Sequence, residues 1–344
     1  MPLHSLSERP FNGEAPLRAL RDPITPLESF YVRSNFVEPD LDPATWRLRV
    51  SGTVETERDW SLTEIQELGT EDHTVTLECA GNGRSFLVPP APGTPWTLGA
   101  TGTAVFTGVP LTRVLDASGS RPGTVEWLFS GADRGSGGDW GDIPFQRSLP
   151  VEATRVTPAP LLVWGMNGRP LSRHHGGPVR LVVPGWYAVA SVKWLVRIDA
   201  LARPFEGRFQ TDRYLYVHGG ETQGPVTRMR VRSLILTPEA GTLPPSPGPF
   251  EVSGIAWSGE APVTRVDVSL DEGRSWTPAE VQPPLEPHAA QRWHCALTVA
   301  ESTPVNEIWS RATDATGACQ PIEPWRNDLG YGNNQAHRVR FDVG

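Results

Sequence analysis

The sequence predicts an α+β protein in two parts: a mixed α/β domain over residues 1–235, then an all-β, immunoglobulin-like sandwich over residues 236–344. Three observations carry this. In 344 residues, 34 glycines and 35 prolines favour strands, turns and loops over long helices. The composition turns to proline-rich connection around Leu236–Gly241 and again at Pro244–Pro249. Beyond it, short alternating segments recur at regular spacing with interleaved tryptophan, as in a sandwich.

The bulk chemistry narrows the function. A formal charge of −8 offers no basic surface for nucleic acid. The three cysteines, Cys79, Cys295 and Cys319, form no C-x-x-C pair, so neither a disulfide framework nor a structural zinc site is expected. A reducing compartment is the simplest reading. The first residues carry no basic n-region or apolar h-region, and no apolar run reaches the length of a membrane span. A cytoplasmic protein without membrane contact is the expectation. Lys193 is the only lysine among 31 basic side chains. Either that is chance in a lysine-poor chain, or one site needs a compact ammonium where a planar guanidinium will not serve.

Taken in order, residues 1–45 are proline-rich and read as an extended arm. Within it, Phe30-Tyr31-Val32-Arg33-Ser34-Asn35-Phe36 sets an arginine and an asparagine among aromatics, as a pocket wall or an ordinary strand would. Trp46 to Val54 alternates as a strand. Ser61–Leu68 reads as a short helix capped by Ser61 or Thr63. Thr74–Leu77 is β-branched and apolar, and Gly81-Asn82-Gly83 breaks it abruptly. Cys79 therefore sits where a strand stops and a tight turn begins. It is either a small buried hydrophobe or a thiolate placed to meet a large rigid partner. Pro89–Pro95 is a rigid loop, Pro110–Ala117 a helix and Thr124–Ser130 a strand. The glycine-rich Gly131–Asp142 follows a strand but lacks the G-K-[ST] of a phosphate loop, so it reads as a solvent-exposed hairpin.

His174 and His175 would point opposite ways on an extended chain, so they suit a phosphate or heterocycle better than one shared metal. Beyond the connection, the alternating runs Glu251–Trp257, Val266–Leu270, Trp293–Val299, Glu307–Ala312 and Val339–Val343 are the strands of the sandwich. Asp271-Glu272-Gly273 is a hairpin turn before Trp276.

Leu77-Glu78-Cys79-Ala80-Gly81-Asn82 resembles the molybdenum-ligand motif of the sulfite oxidase family of molybdopterin-dependent oxidoreductases. So does the block Met166-Asn167-Gly168-Arg169-Pro170-Leu171, His175-Gly176-Gly177-Pro178-Val179-Arg180, Val182-Val183-Pro184-Gly185 and Val192-Lys193-Trp194-Leu195. The resemblance implies a molybdenum–molybdopterin cofactor with Cys79 as the metal's protein ligand. It implies pterin or phosphate contacts from Tyr31, Val32, Asn35, Asp133, His175, Arg180, Ser191 and Lys193. Arg33 and Tyr214 would hold a small oxyanion substrate, with Tyr216 the nearby competitor for Tyr214 and Arg84 a helper. The implied reaction is oxygen-atom transfer, foremost sulfite to sulfate, in a homodimer paired through the second domain.

Four departures matter. No His-Pro-Gly-Gly haem module occurs, so an external electron-transfer partner is expected. Pro92 stands near an active-site lysine of the animal enzymes, and Leu329 in the place of their second substrate arginine. Asn35 stands where many members have histidine. Nitrate or sulfoxide reduction on the same scaffold, or a non-enzymatic two-domain binding protein, are the competing readings.

Overall fold

The computed structural model describes residues 2–242, 245–299 and 305–341. Part of the Pro244–Pro249 connection, and the end of the strand expected over Val339–Val343, lie outside these residues.

Two five-stranded sheets make the first part. In one, Glu71–Glu78, Thr101–Pro110, Leu161–Met166 and Arg169–Pro170 lie side by side, and Arg180–Val182 also pairs with Leu161–Met166. In the other the order is Arg58–Ser61, Arg47–Gly52, Leu195–Leu201, Glu126–Ser136 and Asp142–Pro150. One pair in it is parallel, Arg47–Gly52 with Leu195–Leu201. The expected alternation from Trp46 holds: Trp46, Leu48 and Val50 are buried while Arg47 faces solvent. Burying each such side chain contributes about 1.5–3 kcal/mol.

Among the described residues there are two α-helices, Leu62–Glu67 and Leu111–Ser118. The first begins at a reciprocal cap: Ser61 Oγ accepts from the Glu64 N–H at 3.2 Å, and the Glu64 carboxylate accepts from the Ser61 N–H at 2.8 Å.

Residues 2–45 are more ordered than the proline content suggests. His4–Glu8 and Phe11–Glu14 form a hairpin, followed by single 3₁₀ turns at Leu17–Leu20 and Leu27–Ser29. Asn12 Nδ2 fastens the hairpin by donating to Ser7 Oγ and the Pro10 carbonyl, at 2.9 and 3.1 Å.

Beyond residue 231 the chain forms two four-stranded antiparallel sheets. Arg232–Thr237, Gly248–Trp257, Gln291–Val299 and Glu280–Val281 make one; Thr277–Pro278, Val263–Ser269, Glu307–Asp314 and His337–Arg340 make the other. Val252, Val266, Trp293 and Ile308 lie in the core shared between them. Leu234, Ile255 and Trp257 instead join the main core of the first part, so the two halves pack through a common apolar surface.

Candidate active site

Cys79 follows the strand Glu71–Glu78, which pairs along its whole length with Thr101–Pro110. Its N–H donates to the Ala100 carbonyl at 2.9 Å, and its own carbonyl accepts from the Asn82 N–H at 2.9 Å. The strand thus ends in a closed turn with the thiol held in place. Cys79 is buried, and burial pushes its pKa up; Arg33, the Gly81 N–H and Arg84 act in the opposite direction.

The thiol lines a recess enclosing about 660 Å³ of open space, mouth included. Ten other residues singled out in the sequence line it too: Tyr31, Arg33, Asn35, Asp133, His174, His175, Arg180, Ser191, Lys193 and Tyr214. Val32 is not among them; its backbone is spent on Gly13, at 2.9 and 3.0 Å.

Three cations face this space. Arg180 donates to the carbonyls of His175 and Ser191 at 3.0 and 3.1 Å, and burial pulls its pKa down to about 10. Lys193 Nζ donates to Ser34 Oγ and to the His174 carbonyl, both at 2.9 Å, and sits 4.1 Å from the centre of the Trp194 ring. Burial and the nearby Arg180 push its pKa down to about 7. Arg33 donates to Asn35 Oδ1 at 2.6 Å and to Asn12 Oδ1 at 3.1 Å. None of the three has a carboxylate within salt-bridge distance among the described residues. Gly176, at φ +96°, makes room for Lys193, since a Cβ there would come within 2.7 Å of the lysine's own Cβ.

Asp133 sits on the strand Glu126–Ser136, where the pairing with Asp142–Pro150 slips between Ser130 and Arg134. Such a slip re-aims a side chain. The glycine-rich stretch is therefore both strand and pocket edge. Asp133 Oδ1 is buried without a hydrogen-bond partner, and burial raises the carboxyl pKa to about 6.

His174 and His175 do not lie on extended chain; they close a 3₁₀ turn, Arg173–His175, because Ser172 Oγ accepts from the His175 N–H at 3.3 Å. The two rings still diverge. His174 Nδ1 lies 2.8 Å from the Glu38 carboxylate, while His175 is buried edge-on to Phe30 at 5.6 Å. Burial, then Lys193 and Arg180, pushes the His175 pKa down to about 3, so its imidazole is neutral.

Of the two tyrosines, Tyr214 lines the recess and holds φ at +58°, a sparsely populated backbone region. Its hydroxyl is 3.4 Å from Asn35 Nδ2, and its ring stacks on Tyr331 at 4.7 Å. Tyr216 turns away beneath Arg230. Arg84 does not line the recess; it donates to the carbonyls of Gly330 and Thr94 at 3.2 and 2.9 Å and lies over Tyr331.

Outside Arg33, Asn35 and Tyr214 a second recess opens, and both Pro92 and Leu329 line it. Sequence reasoning missed four residues here. Arg208 and Arg213 line the outer recess, as does Tyr331 between the positive-φ glycines Gly330 and Gly332. Ser34 anchors Lys193. An aromatic between two glycines was a readable sign of a built loop; nothing marked Ser34.

The donor set fits a molybdopterin cofactor. Two fixed cations, Arg180 and Lys193, lack an anion partner, as a phosphate site requires. The orphaned Asp133 oxygen needs an N–H donor, which a pterin edge carries. One thiol, rather than a cluster of side-chain ligands, suits a metal that brings its other ligands with it.

The sequence comparisons agree. Residues 35–209 match the oxidoreductase molybdopterin binding domain, and residues 223–343 the Mo-co oxidoreductase dimerisation domain. The chain is 35% identical to sulfite oxidase of Gallus gallus over 96% of its own length and 76% of that protein's. It is 34% identical to mitochondrial sulfite oxidase of Rattus norvegicus, spanning 98% of this chain but 65% of the relative. The sulfane dehydrogenase SoxCD structure from Paracoccus pantotrophus superposes with a TM-score of 0.84 at 29% identity, over 98% of this chain and 88% of that one. Thiol, cation cradle and both domain matches converge: the chain belongs to the sulfite oxidase family of molybdenum-cofactor oxidoreductases.

Proposed function

We propose that the protein oxidises sulfite to sulfate, SO₃²⁻ + H₂O → SO₄²⁻ + 2H⁺ + 2e⁻, and passes the electrons to an outside acceptor. The observation that carries this is the adjacency of the Cys79 thiol and the Arg33–Asn35–Tyr214 cluster in one recess. When bound, the cofactor supplies the oxygen-atom transfer. Cys79 would hold the metal as its thiolate, a form that burial alone disfavours and that metal ligation would favour. Arg180 and Lys193 would neutralise the cofactor's phosphate, Asp133 would accept from its pterin and the neutral His175 would hydrogen-bond it. Arg33 would hold two oxygens of the substrate on its planar fork, and Tyr214 would donate to a third.

The same reading includes a homodimer paired through an immunoglobulin-like sandwich, with the chain divided close to the 235/236 boundary expected from the sequence, at the start of the strand Arg232–Thr237. The matched dimerisation domain supports the pairing. Light scattering should give twice the chain mass. A cytoplasmic location also belongs to this reading, supported by three free cysteines. No helix among the described residues is long and apolar enough to cross a membrane.

Metal analysis of the purified protein, followed by sulfite oxidation with ferricyanide as acceptor, is the test. About one molybdenum per chain with sulfite-dependent ferricyanide reduction is the expected result. Molybdenum-loaded protein that reduces nitrate or a sulfoxide and ignores sulfite would overturn the choice of substrate.

A further inference from the structure

The outer recess, with about 740 Å³ of open space, joins two kinds of surface. Phe36, Phe209, Pro92 and Leu329 give it carbon; Arg33, Arg208 and Arg213 give it charge. Asp212 lies 3.6 Å from Arg208 and 3.9 Å from Arg213, whereas Arg33 has no carboxylate at salt-bridge distance among the described residues. The free charge is therefore concentrated at Arg33, beside Tyr214; Pro92 and Leu329 are the solvent-accessible apolar side chains of the recess, while Phe36 and Phe209 are buried. A compact dianion uses converging donors and gains nothing from these carbon surfaces. An anion carrying an organic arm uses both.

We propose that the recess admits organosulfinates, R–SO₂⁻, and that the enzyme oxidises them to sulfonates: R–SO₂⁻ + H₂O → R–SO₃⁻ + 2H⁺ + 2e⁻. This rests on the reading of the site as a sulfite-oxidising centre and extends its substrate class. The sulfur lone pair forms the new S–O bond, the C–S bond is kept, and water is the net source of the oxygen. Two protons are released, and the electrons go to a one-electron acceptor. A sulfinate is a monoanion with two oxygens, matched to the Arg33 fork, and its arm extends over Leu329 and Pro92.

The test uses molybdenum-loaded enzyme with ferricyanide and compares kcat/KM for sulfite, methanesulfinate and benzenesulfinate. Both sulfinates should turn over, with a KM for benzenesulfinate about tenfold or more below that for sulfite, the scale of a well-placed apolar contact. Leu329→Arg, and independently Pro92→Lys, should shift the preference toward sulfite by roughly the same factor. Calorimetry gives a readout apart from turnover: benzenesulfonate should bind the wild type more tightly than sulfate, and Leu329→Arg should remove the difference. Sulfite oxidation without sulfinate oxidation would overturn the extension alone. Loaded enzyme that oxidises neither would overturn the parent reading as well. Benzenesulfonate binding no tighter than sulfate would show that the carbon surfaces do not bind an arm.

Discussion

The Glu78 carboxylate, next to Cys79 in sequence, lies 2.8 Å from the guanidinium of Arg232, with both side chains almost wholly shielded from solvent. The same carboxylate accepts from Asn82 Nδ2 and Trp257 Nε1, each at 3.0 Å. Arg232 and Trp257 come from adjacent strands of the C-terminal half, Arg232–Thr237 and Gly248–Trp257. Gly83 leaves room for this, since a Cβ there would stand 2.7 Å from Arg232 Nη2. The residue beside the thiol is thus fastened across the boundary between the halves.

Breaking that pair should be costly. Arg232→Met strands a buried carboxylate and should cost about 3–5 kcal/mol in urea unfolding. Glu78→Gln keeps one acceptor oxygen for Asn82 and Arg232 but turns an NH2 toward the Trp257 N–H and leaves Arg232 without its counter-charge, so it should be destabilising as well. A loss under about 1 kcal/mol in Arg232→Met would mean that the carboxylate finds another partner.

Cys79→Ser should keep the fold and lose oxidation of every substrate. Serine is close in size, but its oxygen is a harder, less donating ligand than thiolate. Circular dichroism and metal content separate this outcome from misfolding. Cys295→Ser, in the core of the C-terminal sheets, should remain active. The reverse result would move the metal ligand elsewhere.

Lys193→Arg should lower cofactor retention although the charge is kept. The ammonium fits between Ser34 Oγ, the His174 carbonyl and the Trp194 ring, a space set for a compact head. Molybdenum per chain after purification is the measure; equal occupancy would make the lone lysine a matter of composition.

The low pKa of Lys193 has a sign. Unfolded, the amine titrates near 10.5; folded and cofactor-free, near 7, because of burial and Arg180. Between those values the unfolded chain binds the proton that the folded chain has released, so stability rises with pH across this window. In cofactor-free protein, the Tm of the wild type relative to Lys193→Met should therefore climb from pH 7 to pH 10. A flat difference would contradict the buried ammonium. An anion bound beside Lys193 should restore the proton, so phosphate binding at pH 8 should take up protons.

Much of the site was legible because its chemistry is written in short runs. Cys79 at the end of its strand, Ser191 and the lone Lys193 all stand in the recess. Pro92 and Leu329, far apart in the chain, were singled out separately and line one outer recess. What stayed hidden depends on tertiary approach. Ser34 matters because Lys193 reaches it, and Tyr331 because Tyr214 stacks on it; neither distance is encoded locally. The histidine turn departs from the extended expectation because the His175 N–H closes on both the carbonyl and the hydroxyl of Ser172, a local choice that no apolar periodicity announces. The N-terminal hairpin was masked by Pro10, which sits at its turn rather than within its strands.

The parallel pairing of Arg47–Gly52 with Leu195–Leu201 has a consequence for the order of events during synthesis. The sheet that carries Asp133 cannot close until residue 201 has left the ribosome, and the recess lacks a wall until Tyr214 follows. Glu78 waits longer still, for Arg232 and Trp257. At about 5–20 residues per second, Cys79 therefore spends on the order of ten seconds as an unprotected nascent thiol before a cofactor can be captured. Loading then belongs to the last stage of translation or to the time after release. Ribosome-arrested chains that expose Cys79 but end before Lys193 should retain no molybdopterin, whereas released full-length chains should acquire it.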